Sequence, residues 1–176
     1  MNHEMVRLIE PLIPALRRYA RALMRERAAA DDLVQDCLER AISRWHQRRQ
    51  DDDARAWIFA ILHNLAMTRL RRAAQRPIHV ALDDAEAANL SSAAAQEDRL
   101  RYRDLLNALT QLPDEQRTVL LLVTVEQLSY ADAARVLDLP IGTVMSRLSR
   151  ARERLAKLMS AEPRAHVSPP YLRSVK

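Results

Sequence analysis

The sequence predicts an all-α fold of two small helical domains joined by a flexible linker, and three observations predict it. Helix formers dominate: 48% of the 176 residues are hydrophobic, with Ala and Leu prominent, against one Gly, one Phe and 4% aromatics, a composition suited to helices rather than sheet. Apolar residues recur at three- and four-residue spacing from residue 6 to 76 and again from 99 to about 159, the period of a helix with one buried face. Between these blocks, residues 83–98 hold five acids, no base and the run SSAAA, a composition that suits a linker. The sequence thus divides into a first domain at 1–76, a linker at 77–100, a second domain at 101–160, and a loosely ordered tail at 161–176 that contains three prolines.

The first helix spans residues 7–25, with Leu8, Leu12, Leu16, Tyr19, Ala20 and Leu23 on one side and Pro11 and Pro14 bending or delaying its start. The second follows Asp31-Asp32, two acids placed where a helix dipole favours them, and runs to about Trp45. Its seam is Leu33, Val34, Cys37, Leu38, Ala41, Ile42 and Trp45, while Asp32, Gln35, Asp36 and Glu39 line its other face. That acidic face reads either as solvated surface or as a docking surface for a basic partner. A third helix, 54–73, buries Trp57, Ile58, Ile61, Leu62, Leu65 and Leu70. Arg55, His63, Asn64, Thr68, Arg69, Arg71 and Arg72 fall largely on its other side, and the excess of base at its end suits phosphates. Asn64 reads as an ordinary surface residue or as a donor and acceptor for a base.

In the second block Leu105, Leu106, Leu109 and Leu112 precede LPDEQRTVLLLVTV. Pro113 suits the first turn of a helix, Asp114 and Glu115 complement its dipole, and the apolar run that follows makes a scaffold helix. Residues 129–157 have the spacing of a helix-turn-helix. Ser129 with Asp132 reads as a capping pair, Ala134 as the close approach of two helices, Asp138-Leu139-Pro140 as the turn, and Val144 and Leu148 as the buried side of the second helix. Gly142-Thr143 opens that helix, whose early residues would meet base edges in a major groove. Arg147, Arg150, Arg152, Arg154 and Lys157 follow against one acid, Glu153. Duplex DNA is the favoured partner, with a helical hairpin bearing a solvated basic face as the alternative. The net charge of +5 and pI near 10.0 lean the same way.

Other chemistries find little support. One cysteine, Cys37, leaves no internal disulfide and reads as a buried structural thiol; His3, His46, His63, His79 and His166 lack metal-ligand spacing, so no metal or cofactor is expected. There is no Gly-rich phosphate loop and no nucleophile with an evident base, so the chain does not read as an enzyme. The N-terminal MNHEMVRLIE carries acids where a signal peptide needs a basic region, and no apolar run approaches a membrane span, so a cytoplasmic protein is expected.

Three segments in order and separation carry a family resemblance: DDLVQDCLERA at 31–41, ARAWIFAILHNLAMTRLRR at 54–72, and LPDEQRTVLLL with the helix-turn-helix. The chain resembles the extracytoplasmic-function sigma factors, the sigma-70 members built from regions two and four only. The resemblance covers residues 12–76 and 105–159. It implies a transcription-initiation factor that binds core RNA polymerase, directs it to promoter DNA, and is held in check by an anti-sigma factor. Asp32, Gln35, Asp36 and Glu39 would form the polymerase-binding surface. Asn64 would help read an unstacked base of the downstream promoter element, with Arg69, Arg71 and Arg72 on the strand's backbone. Thr143, Ser146, Arg147, Ser149 and Arg150 would lie near bases or flanking phosphates of the upstream element, supported by Arg152 and Arg154. The chain departs from the family where an aromatic is common near Arg48, an acid at Thr68, a basic residue at Met145 and a turn glycine at Asp138. A stand-alone helix-turn-helix regulator leaves the acidic and third helices without a role, and a sigma-like decoy predicts an eroded recognition helix.

Overall fold

In a computed structural model of the chain, the described residues are 3–24, 26–48, 53–74 and 93–160. Of the linker read at 77–100, residues 77–92 lie outside them, whereas 93–100 are not linker but the opening turns of a helix; the tail at 161–176 also lies outside them. The first module contains α1 (His3–Ile9), α2 (Ile13–Leu23), α3 (Arg27–Ser43) and α4 (Ala54–Ala74), and the second contains α5 (Ala93–Thr110), α6 (Asp114–Leu120), α7 (Tyr130–Leu137) and α8 (Ile141–Ser160). Among the described residues there is no strand.

The single helix expected at 7–25 is two helices. A 3₁₀ turn at Glu10–Leu12 separates α1 from α2, and a proline stands in the first turn of each segment that follows, where its missing N–H costs no helical bond. α3 starts at Arg27 rather than after Asp31-Asp32, because Ala28, Ala29 and Ala30 are strong helix formers that extend it backwards. Asp31 consequently lies one turn in, facing Arg21 at 3.7 Å and Arg27 at 4.0 Å. Of the seam expected on this helix, Leu33, Val34, Cys37 and Ala41 are buried, whereas Ile42 stands half exposed. Trp45 has left the helix for a 3₁₀ turn, where its ring meets Trp57 edge-on at 5.9 Å and stacks under Arg48.

α3 packs against α2 and α4 around Leu16, Tyr19, Leu33, Ile58, Phe59 and Leu62. His63, expected on the outer face of α4, belongs to this core; its Nδ1 lies 3.1 Å from the Tyr19 hydroxyl. Burial pushes the imidazole down to about 4 and raises the phenol above its ordinary range. The phenol and the neutral imidazole thus share one buried hydrogen bond between the Tyr19 hydroxyl and Nδ1. Cys37 is fully buried as expected, its Sγ 3.7 Å from the Ile58 carbonyl, and burial pushes the thiol up to about 12. With so little thiolate and no access, Cys37 is expected to ignore an aromatic disulfide reagent at pH 8 until denaturant is added, a result read from the released thiol's absorbance. Rapid labelling of the folded chain would contradict that burial.

The second module stacks α8 on α5, α6 and α7. α6 runs into a π-helical turn at Leu121–Val125, closed by the Glu126 amide on the Leu121 carbonyl at 2.9 Å. Gln127 then takes a left-handed φ of 54° and Asp138, after α7, one of 52°. A chain with a single glycine makes both turns with other residues, at about 1–2 kcal/mol each. Ser129 caps α7 as expected: its Oγ accepts from the Asp132 amide at 3.0 Å and donates to the Asp132 carboxylate at 2.5 Å.

The two modules pack on each other. α4 lies against α7, α2 against α5 and the π-helical turn, and the buried residues of both modules form one continuous hydrophobic cluster. At the junction the Glu126 side chain is wholly buried and takes Arg18 Nε at 3.1 Å and Nη2 at 2.9 Å. Arg55 donates to the Glu126 backbone carbonyl at 2.5 Å and stands 3.7 Å from its carboxylate. Glu126 stands between the π-helical turn and the left-handed Gln127.

Candidate functional site

The acidic row on α3 is present as a surface. Asp32, Gln35, Asp36 and Glu39 are all exposed, and Gln35 donates to Glu39 at 3.1 Å. Asp36, Glu39 and Arg40 line a shallow open groove of about 550 Å³ with Ser43 and Arg44. The row is not uniformly acidic, because Arg69 reaches across from α4. Its guanidinium donates to Asp36 Oδ2 at 2.5 Å and to the Ala29 carbonyl at 3.0 Å. One residue expected to face polymerase is thus paired with one expected to face DNA, a contact between residues 33 positions apart that no local spacing reveals.

On α4, Asn64 is exposed and lines a cleft of about 380 Å³ with Met67, Leu70, Arg71 and Ala74. The opposite wall is Asp114, at the start of α6, which is itself paired with Arg117 at 2.5 Å. Arg71 and Arg72 are exposed near the helix end, with Arg71 Nε donating to the Met67 carbonyl at 3.2 Å. Thr68 Oγ1 donates to the Asn64 backbone carbonyl at 2.8 Å, and Asn64 lines the cleft.

α8 buries Val144, Leu148 and Ala151 against its neighbours and presents Gly142, Met145, Ser146, Ser149, Arg150 and Arg152 to solvent. Thr143 is half-buried, and its carbonyl accepts from Ser146 Oγ at 3.0 Å. Arg147 is tied back to Glu115 on α6 at 2.8 Å, with a quarter of its side chain exposed. Arg154 is exposed, and Glu153 is held by Lys157 at 2.7 Å. Sequence reasoning passed over Ile141 and marked Met145 only as standing where a basic residue is common; both are about half exposed on the leading turns of α8. It missed the signal, an apolar pair at the edge of the buried stripe that stays exposed. It also passed over Glu126, whose setting in LLLVTVEQL marks an acid in an apolar run but says nothing of arginines 71 and 108 residues away.

Among the described residues no group of three or more His, Cys, Asp or Glu is placed to hold a metal ion, and no helix is long and apolar enough to cross a membrane.

Residues 9–63 match the family described as the Sigma2 domain of PhyR, and residues 102–155 match sigma-70 region 4. The first match stops one residue short of Asn64. The chain is 36% identical over 147 residues to the ECF RNA polymerase sigma factor EcfG of Rhodopseudomonas palustris, spanning 84% of this chain and 80% of that one. Its fold is similar to sigma factor RpoE of Bartonella quintana, solved with the anti-sigma factor NepR, with a TM-score of 0.69, 30% identity, and coverage of 90% and 99%. It is also similar to CnrH, solved with the cytosolic domain of CnrY, with a TM-score of 0.69, 27% identity, and coverage of 90% and 89%. A helical pair of modules, a helix-turn-helix whose second helix keeps one face in solvent, and an identity sustained across both modules have one common explanation: the chain belongs to the extracytoplasmic-function sigma factors of the sigma-70 family.

Proposed function

We propose that the chain binds core RNA polymerase through the α3 row, melts and holds promoter DNA along α4, reads the upstream promoter element with α8, and catalyses no reaction of its own. The observation that carries this is the coexistence in one chain of an exposed acidic row on α3 and two exposed basic surfaces, on α4 and α8. Asp32, Gln35, Asp36 and Glu39 meet basic side chains of polymerase. Asn64 takes an extruded base, with Arg71 and Arg72 on the strand. Arg69, held by Asp36 and Ala29, joins them only when that pairing is given up. Ser146, Ser149, Arg150 and Arg152 contact the upstream duplex, with Thr143, Arg147 and Arg154 as flanking support. The protein works where polymerase works, in the cytoplasm. Because the similar sigma factor RpoE was solved with the anti-sigma factor NepR, an anti-sigma factor that covers these surfaces is the expected partner.

A strand laid along α4 needs the Asp114 wall of the cleft to withdraw, so promoter binding accompanies separation of the two modules. The second reading is a sigma-like decoy, favoured by the match of residues 9–63 to the PhyR domain. It gives no use to the exposed Arg150 and Arg152.

Transcription in vitro with core polymerase, with and without the chain, separates the two: discrete new transcripts support the sigma factor, and a transcript set unchanged by the chain overturns it. Glu39→Arg is a cleaner probe of the α3 row than Asp36→Arg, since Glu39 meets Gln35 whereas Asp36 also holds Arg69. Glu39→Arg is expected to weaken retention on core polymerase about tenfold, from one charge reversed in a basic site. Arg150→Ala is expected to cut promoter-specific transcription and leave retention intact. Equal behaviour of both variants in both assays would sink the assignment.

A further inference from the structure

Ile141 and Met145, four residues apart on α8, stand 45% and 49% exposed, and that spacing places them on one side of the helix. Their neighbours in solvent are Gly142, Ser146, Ser149 and Arg152. A Cβ at Gly142 would meet nothing within 4 Å, so open space lies in front of this turn. α8 is held through Val144, Leu148 and Ala151 by α5, α6 and α7, and Ile141, three residues before Val144, stands at the exposed edge of that stripe with Met145 beyond it. Met145 therefore takes no part in the core, and the face on which it stands is free to meet a duplex.

Neither an isoleucine nor a methionine can bond a phosphate or the polar edge of a base. The apolar group that the major groove offers is the C5-methyl of thymine, which distinguishes A·T from T·A and from both G·C orientations. A methionine has three rotatable bonds and a polarisable sulfur, so it can follow a methyl group without a fixed approach angle. The serines beside it are short enough to let the helix backbone come close, as is the glycine.

We propose that Met145 is a specificity-determining residue of this sigma factor: it packs on a thymine methyl in the upstream promoter element, with Ile141 shielding the contact from water. The contact sets a thymine preference at one position of that element, beside the positions met by Ser146 and Ser149. The proposal rests on the reading of α8 as the upstream recognition helix.

The test uses holoenzyme, the full chain with core polymerase, on a promoter pool randomised in the upstream element. Wild type is expected to select thymine at one position where Met145→Ser selects none, with the rest of the motif unchanged. At that position a template carrying uracil, which lacks only the methyl group, is expected to lower wild-type transcription about fourfold, the worth of one buried methyl, and to leave Met145→Ser unaffected. Cytosine replaced by 5-methylcytosine there should recover part of the wild-type signal. Wild-type indifference to uracil, or an unaltered thymine preference in Met145→Ser, overturns the role of Met145 and leaves α8 as a reader of other groups. Absence of any selected upstream sequence by wild type overturns both. Loss of core polymerase retention in Met145→Ser would assign the patch to a protein contact instead.

Discussion

Replacing Arg18 with alanine is expected to separate the two modules without unfolding either. Arg18 supplies two of the bonds to a Glu126 side chain that has no exposure to water, and Arg55 at 3.7 Å is the other cation on that carboxylate. Removing one partner of a buried ion pair strands the other, at about 3 kcal/mol here, the low end of the usual range because Arg55 remains. The two partners belong to different modules, so the stranded charge regains water by the modules moving apart. A shift of that size changes the ratio of separated to packed molecules about a hundredfold. Glu126→Gln is expected to do less, since it leaves behind arginines that already reach solvent, 56% and 37% exposed. Combining it with Arg18→Ala should restore much of the packing. Small-angle scattering reads the outcome: a larger radius of gyration for Arg18→Ala, partly reversed in the double variant. An unchanged radius would mean that Glu126 does not hold the modules together.

Acidification from pH 7.5 to 5 is expected to weaken the fold by about 2 kcal/mol through His63 alone. In the unfolded chain its imidazole titrates near its ordinary value of about 6.5, whereas burial in the fold pushes it down to about 4. Between those values the unfolded chain binds a proton that the folded chain refuses. The His63 contribution is therefore intact above about pH 6.5, declines as pH falls, and levels off below about pH 4. Carboxylates add their own slope toward the acid end. His63→Asn, whose amide can meet the Tyr19 hydroxyl in place of Nδ1, isolates the imidazole. Urea midpoints at the two pH values should differ less in that variant than in wild type, and equal differences would show that His63 is not the group that titrates.

Which elements were legible in the sequence follows from the range of the interactions that make them. The helix-turn-helix could be read residue by residue, from the Ser129 cap to the left-handed Asp138 and the buried Val144 and Leu148, because each feature is set within a turn or two of chain. The α3 seam was legible for the same reason as far as Ala41. It failed at Ile42, where burial depends on what lies opposite and not on the period of the helix. The start of α3 was misplaced because a dipole argument about Asp31 and Asp32 was weighed above the propensity of three alanines. His63 was put on the outer face because imidazole is polar; a phenol 44 residues earlier lets it sit inside. Of the candidate site, the exposed rows on α3 and α8 could be anticipated, whereas the Asp36 pairing with Arg69, the Arg147 pairing with Glu115 and the Glu126 junction are tertiary contacts without a local sequence mark.

The packed junction separates two properties that a transcription factor usually varies together. When only separated molecules accept a strand on α4, the measured dissociation constant is the intrinsic one divided by the separated fraction. Each ~1.4 kcal/mol of closure then weakens apparent promoter affinity tenfold at every sequence alike. Arg18, Arg55 and Glu126 would set how strongly the chain competes for promoters, while the side chains proposed to read the upstream element on α8 would set which promoters those are. Drift at the junction can tune output without rewriting the set of genes that responds.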